Sequence, residues 1–234
     1  MQQLRIAEIF TSIQGEGIWT GTPSMFIRVS GCNLRCDWCD TPYASWEPEG
    51  PMEPITNLLA AAASSPVRHV VITGGEPMLF DAVVPLTMGL RDLGKTITIE
   101  TAGTVFRELE CDLLSISPKL SNSTPNAGRI EPSWITRHET TRRNLQPLHQ
   151  LVCSYNFQLK FVVNPEIPGD LEEIESILSQ LPMEARTHTL VMAEGKSPKI
   201  LHAREKLLVD ACIERGWRLT PRFHIDLFGD TRGT

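Results

Sequence analysis

The residues with the most chemical promise are Cys32, Cys36 and Cys39. They are spaced Cys-x3-Cys-x2-Cys in the run Gly31-Cys32-Asn33-Leu34-Arg35-Cys36-Asp37-Trp38-Cys39-Asp40-Thr41, just after an apolar, strand-like stretch. Thiolates gathered this closely suit a soft metal centre. Three is one short of the four that usually close a zinc site or an iron–sulfur cluster. A cubane of four irons held by three cysteines keeps one iron without a protein ligand, open to a small molecule that it can also reduce. Two plainer readings stand beside that one: a disulfide with the third thiol left over, or a structural zinc completed by a distant fourth ligand. With six cysteines scattered along 234 residues and no secretory leader read before Ile6, the expected setting is the reducing cytoplasm, which counts against the disulfide. Cys111, Cys153 and Cys212 lie far apart and are expected to be ordinary buried thiols.

A second group is Thr73-Gly74-Gly75-Glu76-Pro77, which follows the apolar run Val70-Val71-Ile72. Paired glycines let a backbone approach a ligand closely, and Glu76 offers a carboxylate that can accept from an ammonium group. Taken alone, the segment reads first as a structural turn. Further polar or glycine-rich tails close other apolar runs: Glu100-Thr101-Ala102-Gly103, Ser117-Pro118-Lys119 and Ala193-Glu194-Gly195. Chemistry gathered after strand ends is the habit of β/α barrels.

The elements that must position these groups alternate. Strands are expected at Leu4–Phe10, Ser24–Ser30, Val67–Thr73, Thr96–Thr101, Leu113–Ser117, Gln158–Asn164, Thr189–Ala193 and Arg218–Ile225. Helices are expected near Ile55–Ser64, Phe80–Leu93, Ser133–Leu145, Asp170–Leu181 and Pro198–Arg215. Asp170 with Glu173 has the spacing of a capping box. Such alternation implies parallel βαβ units in an α/β fold. The chain is too short for eight of them, so an incomplete barrel of about six is expected, as one domain over residues 1–234. Hydrophobic residues make up 41% and charged residues 21%, a globular balance, and no apolar stretch is long enough to span a bilayer. A net charge of −6 without a basic block argues against a nucleic-acid groove and for a small-molecule substrate.

The triple-cysteine loop together with Gly74-Gly75-Glu76-Pro77 resembles the radical S-adenosylmethionine (SAM) superfamily, whose barrels are of the incomplete (β/α)6 type. Ile9-Phe10-Thr11-Ser12-Ile13-Gln14-Gly15-Glu16-Gly17, Phe26-Ile27-Arg28-Val29-Ser30-Gly31-Cys32 and Cys39-Asp40-Thr41 further resemble the 7-carboxy-7-deazaguanine synthase family. The resemblance runs from about residue 6 to the C-terminus, and 122–156 offers little to match. It implies a queuosine-pathway lyase that turns 6-carboxy-5,6,7,8-tetrahydropterin into 7-carboxy-7-deazaguanine and ammonia. It also implies a 4Fe–4S cluster on Cys32, Cys36 and Cys39 and a radical drawn from SAM rather than from a catalytic side chain. SAM contacts are implied at Trp38, Cys39, Asp40, Gly75, Glu76, Ser117, Pro118 and Lys119. Pterin contacts are implied at Ile13, Gln14, Gly15, Arg28, Thr73 and His224, with His224 at the end of the last strand. Thr41 is implied as the protein ligand of a magnesium ion, though a threonine before Pro42 reads by itself as a turn residue. An electron donor such as flavodoxin or ferredoxin and a homodimer come with the family. A glycyl-radical activase shares the cysteine spacing and is the competing enzyme reading; a zinc-stabilised binding module is the non-catalytic one.

Overall fold

The computed structural model describes residues 2–234. Its strands are β1 (Gln3–Ile13), β2 (Pro23–Val29), β3 (Met52–Pro54), β4 (His69–Gly74), β5 (Thr96–Thr101), β6 (Leu113–Ile116), β7 (Phe157–Val163), β8 (Thr189–Ala193) and β9 (Arg218–Leu219). The helices are α1 (Pro42–Ser45), α2 (Ile55–Ser64), α3 (Val83–Asp92), α4 (Pro132–Arg143), α5 (Gln146–Ser154), α6 (Asp170–Leu178), α7 (Glu184–Thr187), α8 (Pro198–Arg215) and α9 (Phe223–Phe228). All nine strands form one sheet in the order β3-β1-β2-β4-β5-β6-β7-β8-β9. Pairing is parallel from β2 through β9, and antiparallel where β1 joins β2 and β3. The result is an incomplete barrel: six full parallel strands, a two-residue seventh, and the antiparallel strands β1 and β3 beside the first.

The parallel register puts residues of alternate parity on opposite faces. Met25, Ile27, Val70, Ile72, Ile97, Ile99, Leu114, Ile116, Leu159, Phe161 and Val191 are buried in one apolar core with Leu58, Leu86, Leu148, Ile174 and Leu208 of the helices. Burial of that continuous face is what closes helices onto sheet. The other parity mixes apolar residues such as Phe26, Val71 and Met192 with a set of buried polar ones. Ser24 and Thr98 bracket His69 at 2.7 and 2.8 Å, and Gln158 donates to Ser115 Oγ at 2.8 Å. Every buried polar atom in these ties has a partner, so the polar interior costs little and holds its side chains in fixed places.

Several expectations fail at the edges. The last strand ends at Leu219, not Ile225, because Pro221 has no N–H to extend the ladder, and 223–228 turns helical instead. His224 therefore sits on α9. The stretch beyond Arg143 carries a further helix, α5, whose Leu148, Leu151 and Val152 form its buried face. Asp170 does not cap α6: Gly169 at φ 106° precedes the helix, while Asp170 Oδ2 accepts from Asn122 Nδ2 and the Asn164 amide. Glu173 accepts from the Ser121 amide and Arg142. All six cysteines are free thiols, which removes the disulfide reading; of the three outlying ones Cys212 is buried, Cys111 half-buried and Cys153 exposed.

Candidate active site

The C-terminal ends of the parallel strands open into a cavity of about 560 Å³, within the usual range for a small-molecule site. The thiols of Cys32, Cys36 and Cys39 line it. Their loop is held by short-range bonds. Arg35 Nη1 donates to the carbonyls of Cys32 and Leu34, the Leu34 amide donates to Cys32 Sγ at 3.4 Å, and the Cys39 amide reaches the Cys36 carbonyl. Outside braces complete it. His138 Nδ1 accepts from the Arg35 amide at 3.1 Å, Trp46 Nε1 donates to the Cys36 carbonyl, and Arg35 stacks 4.1 Å from the Trp134 ring centre.

Burial pushes the Cys32 and Cys36 thiols up to about 12, so they ionise only against a strongly cationic partner such as iron. Among the described residues no three His, Cys, Asp or Glu converge as they do around a single metal ion. The three thiols are the soft donors on the cavity lining. Behind them, the Gly74-Gly75 turn lies against the thiol loop: a Cβ on Gly75 would stand 2.1 Å from the Gly31 carbonyl oxygen. The second glycine is there for that close approach.

The pterin-side candidates meet on the same cavity. Ile13, Gln14, Gly15, Arg28, Thr73 and His224 all line it. Gln14 Nε2 and Thr73 Oγ1 donate to the two oxygens of Glu100 at 3.1 and 2.7 Å. A bulge at Ala7 sets Glu8 directly across from Arg28, and Arg28 Nε donates to Glu8 Oε1 at 2.5 Å. Tyr43 donates to the same oxygen at 2.7 Å, and Arg28 lines the cavity with its Nε anchored on Glu8. β2 pairs on both sides, so Arg28 is not on an edge strand. Gly15 gives His224 its place, since a Cβ there would lie 2.0 Å from the ring nitrogen Nδ1.

Trp38, Asp40, Ser117, Lys119 and Thr41 line the cavity too. Lys119 Nζ donates to Ser117 Oγ at 2.7 Å and lies 5.5 Å from the Trp38 ring, whose Nε1 donates to Asn122. Two of the expected contacts lie off the cavity lining. Glu76 is fully buried behind the wall and spends its carboxylate on the amides of Met78 and Ala102 and on Thr101 Oγ1. Pro118 is likewise buried away from the cavity. Two lining residues, Lys160 and Arg222, carry no sequence signal of their own, and Glu100 is marked only as the first residue of a polar strand tail. Lys160 and Arg222 are single charged residues with no motif around them; only strand parity in Lys160 marks the inner face.

A family model described as the Radical SAM superfamily matches residues 26–131. The chain is 46% identical over 232 residues to the 7-carboxy-7-deazaguanine synthase of Rhodopirellula baltica, covering 99% of this chain and 89% of that one. The chain belongs to the 7-carboxy-7-deazaguanine synthase family. It is 41% identical to the synthase of Halobacterium salinarum over 240 residues, covering 99% of this chain and 93% of that one. The crystal structure of QueE from Escherichia coli superposes with a TM-score of 0.68 at 27% identity over 95% of each chain. TYW1 with a lysine-pyruvate adduct bound, at 14% identity and a TM-score of 0.57 over 82% of this chain and 72% of that one, shares the fold. As a member of the 7-carboxy-7-deazaguanine synthase family the chain is a radical SAM enzyme, and the zinc-module reading falls away.

Proposed function

We propose that this chain is a lyase that converts 6-carboxy-5,6,7,8-tetrahydropterin to 7-carboxy-7-deazaguanine with release of ammonia, in 7-deazapurine and queuosine biosynthesis. The observation that carries the proposal is one cavity lined at once by the three thiols, the Arg28 fork and the Gln14–Glu100 pair. Cys32, Cys36 and Cys39 would hold a 4Fe–4S cluster. When bound, the cluster and SAM together supply a 5′-deoxyadenosyl radical for hydrogen abstraction.

The chain's own residues bind, orient and exclude water. Trp38, Asp40, Gly75, Ser117 and Lys119 are the SAM wall. Arg28 takes the pterin carboxylate, for which a planar guanidinium gives two parallel bonds, and Glu8 fixes the angle of that fork. Gln14, Thr73 and Glu100 present a fixed donor–acceptor edge to the pterin ring. Burial lowers the His224 pKa, so the ring is neutral at pH 7 and offers a hydrogen bond without a charge. Thr41 is the hydroxyl for a magnesium ion beside the carboxylate; its Oγ1 faces the cavity near Cys39.

The reading takes residues 1–234 as one radical SAM domain, in keeping with a single sheet. An electron donor of the flavodoxin or ferredoxin kind, a homodimer and a cytoplasmic setting belong to the same reading. No helix among the described residues is long and apolar enough to cross a membrane. The test is anaerobic reconstitution with iron and sulfide, followed by SAM, reductant, magnesium and the pterin. Deazaguanine product with stoichiometric ammonia is expected; SAM cleavage with no such product would overturn the proposal.

A further inference from the structure

Arg222 stands where no motif pointed. It lies between β9 and α9 with only 9% of its surface exposed. All three parts of its guanidinium are used. Nε donates to Glu16 Oε1 at 3.1 Å, Nη1 to the Gly195 carbonyl at 2.9 Å, and Nη2 to Asp40 Oδ2 at 2.5 Å. The partners come from three separate stretches of the cavity wall. Glu16 follows the Gln14-Gly15 segment, Asp40 follows Cys39, and Gly195 follows β8. The second oxygen of Glu16 accepts from buried Lys160.

Buried ion pairs add little net stability over well-packed apolar groups, so stability alone is a weak account of this one. What they do well is fix geometry. A planar fork bonded to three segments holds those segments in one relation, which a lysine, with a single point of charge, cannot do.

We propose that Arg222 is a positioning residue that locks Asp40, on the SAM wall, to Glu16, the residue that follows Gln14 and Gly15 of the pterin side. The proposal rests on the assignment of the SAM wall and the pterin side made above. Its consequence is specific: loosening Arg222 disturbs both ligands together, although Arg222 need touch neither.

The test uses the full chain, anaerobically reconstituted, with R222K against the parent. Iron content and melting temperature report folding. Equilibrium dialysis measures SAM affinity, and steady-state assays give the pterin KM, kcat and the ratio of 5′-deoxyadenosine to deazaguanine product. In R222K the SAM Kd and the pterin KM are each expected to rise about tenfold. KM is expected to change more than kcat, and more deoxyadenosine to be made per product. If R222K keeps its cluster and binds both ligands within about twofold of the parent, or weakens only one, the proposal is wrong. Should R222K fail to fold, the E16Q/R222Q double variant removes one charge of each sign and carries the same test, with the same expected loss and the same contrary result. A failure of the functional reading looks different: the parent itself would not turn over the pterin, and the SAM dialysis would then decide for Arg222 alone.

Discussion

The thiol loop and the charged wall share one cavity but are built by different means. The loop is local: Cys32, Cys36 and Cys39 are brought together by turns within a few residues, and its internal bonds span one to three positions. The wall is assembled from afar, with Lys160 144 residues from Glu16, and Arg222 206 from Glu16 and 182 from Asp40. A local site can carry a motif, because its geometry is a property of a short sequence. A distant one exists only once the strands are in register, and each member looks like any other charged residue until then.

The sharpest break in that comparison is within the loop itself. Cys36→Ala is expected to abolish cluster assembly, since a methyl group cannot replace a thiolate, while the sheet and the charged wall persist. Iron content and circular dichroism check both halves. A full iron complement in that variant would remove Cys36 from the ligand set.

Next in size is Gly75→Ala, which drives a Cβ to within 2.1 Å of the Gly31 carbonyl oxygen, and 2.7 Å of that of Ala44. Backbone has to move on two sides, so a loss of about 3 kcal/mol or more is expected by urea denaturation. A loss below about 1 kcal/mol would show that the turn and the loop are not packed as described.

On the pterin side, Arg28→Ala would remove the charge-assisted bidentate contact proposed for the substrate carboxylate. The pterin KM is expected to rise about 10- to 100-fold while SAM cleavage continues without product. Glu8→Gln leaves Arg28 in place but weakens its anchor, and is expected to raise KM by less than about tenfold. Equal loss of SAM cleavage in both variants would point to a folding defect and not to the carboxylate.

The smallest effect concerns acid. Burial pushes the His138 ring down to about 4 from its usual 6.5, and the neutral ring accepts from the Arg35 amide through Nδ1. That bond sets the tautomer, so Nε2–H faces Ser123 Oγ at 3.1 Å. Below pH 6.5 the unfolded chain takes up a proton that the folded chain refuses. The contribution is therefore full above pH 6.5 and is lost as pH falls toward 4. Urea midpoints over that window should fall more steeply in the parent than in His138→Gln. Since His69 is pushed down similarly in both proteins, the difference reads His138 alone.

How much was legible follows the same division. The triple-cysteine spacing, the Gly74-Gly75 turn and the alternating apolar runs pointed to the barrel and to the thiol pole, because each is a short-range pattern. Glu76 shows what spacing leaves out: its position after two glycines suggests a ligand contact, while in the fold it is buried against Thr101 and two amides. His224 was found near the cavity but on the wrong element, since the effect of Pro221 on the last strand outweighs the apolar pattern around it. Lys160 and Arg222 had no local signature to read.

The central claim is that three thiols, and no fourth side chain, hold a cluster with one open iron. Mössbauer spectroscopy of protein reconstituted with iron-57, before and after SAM is added, tests it most directly. The account expects about a quarter of the iron signal to shift on SAM binding while the rest stays put. A spectrum unchanged by SAM, or a protein that takes up zinc and no iron, would contradict it.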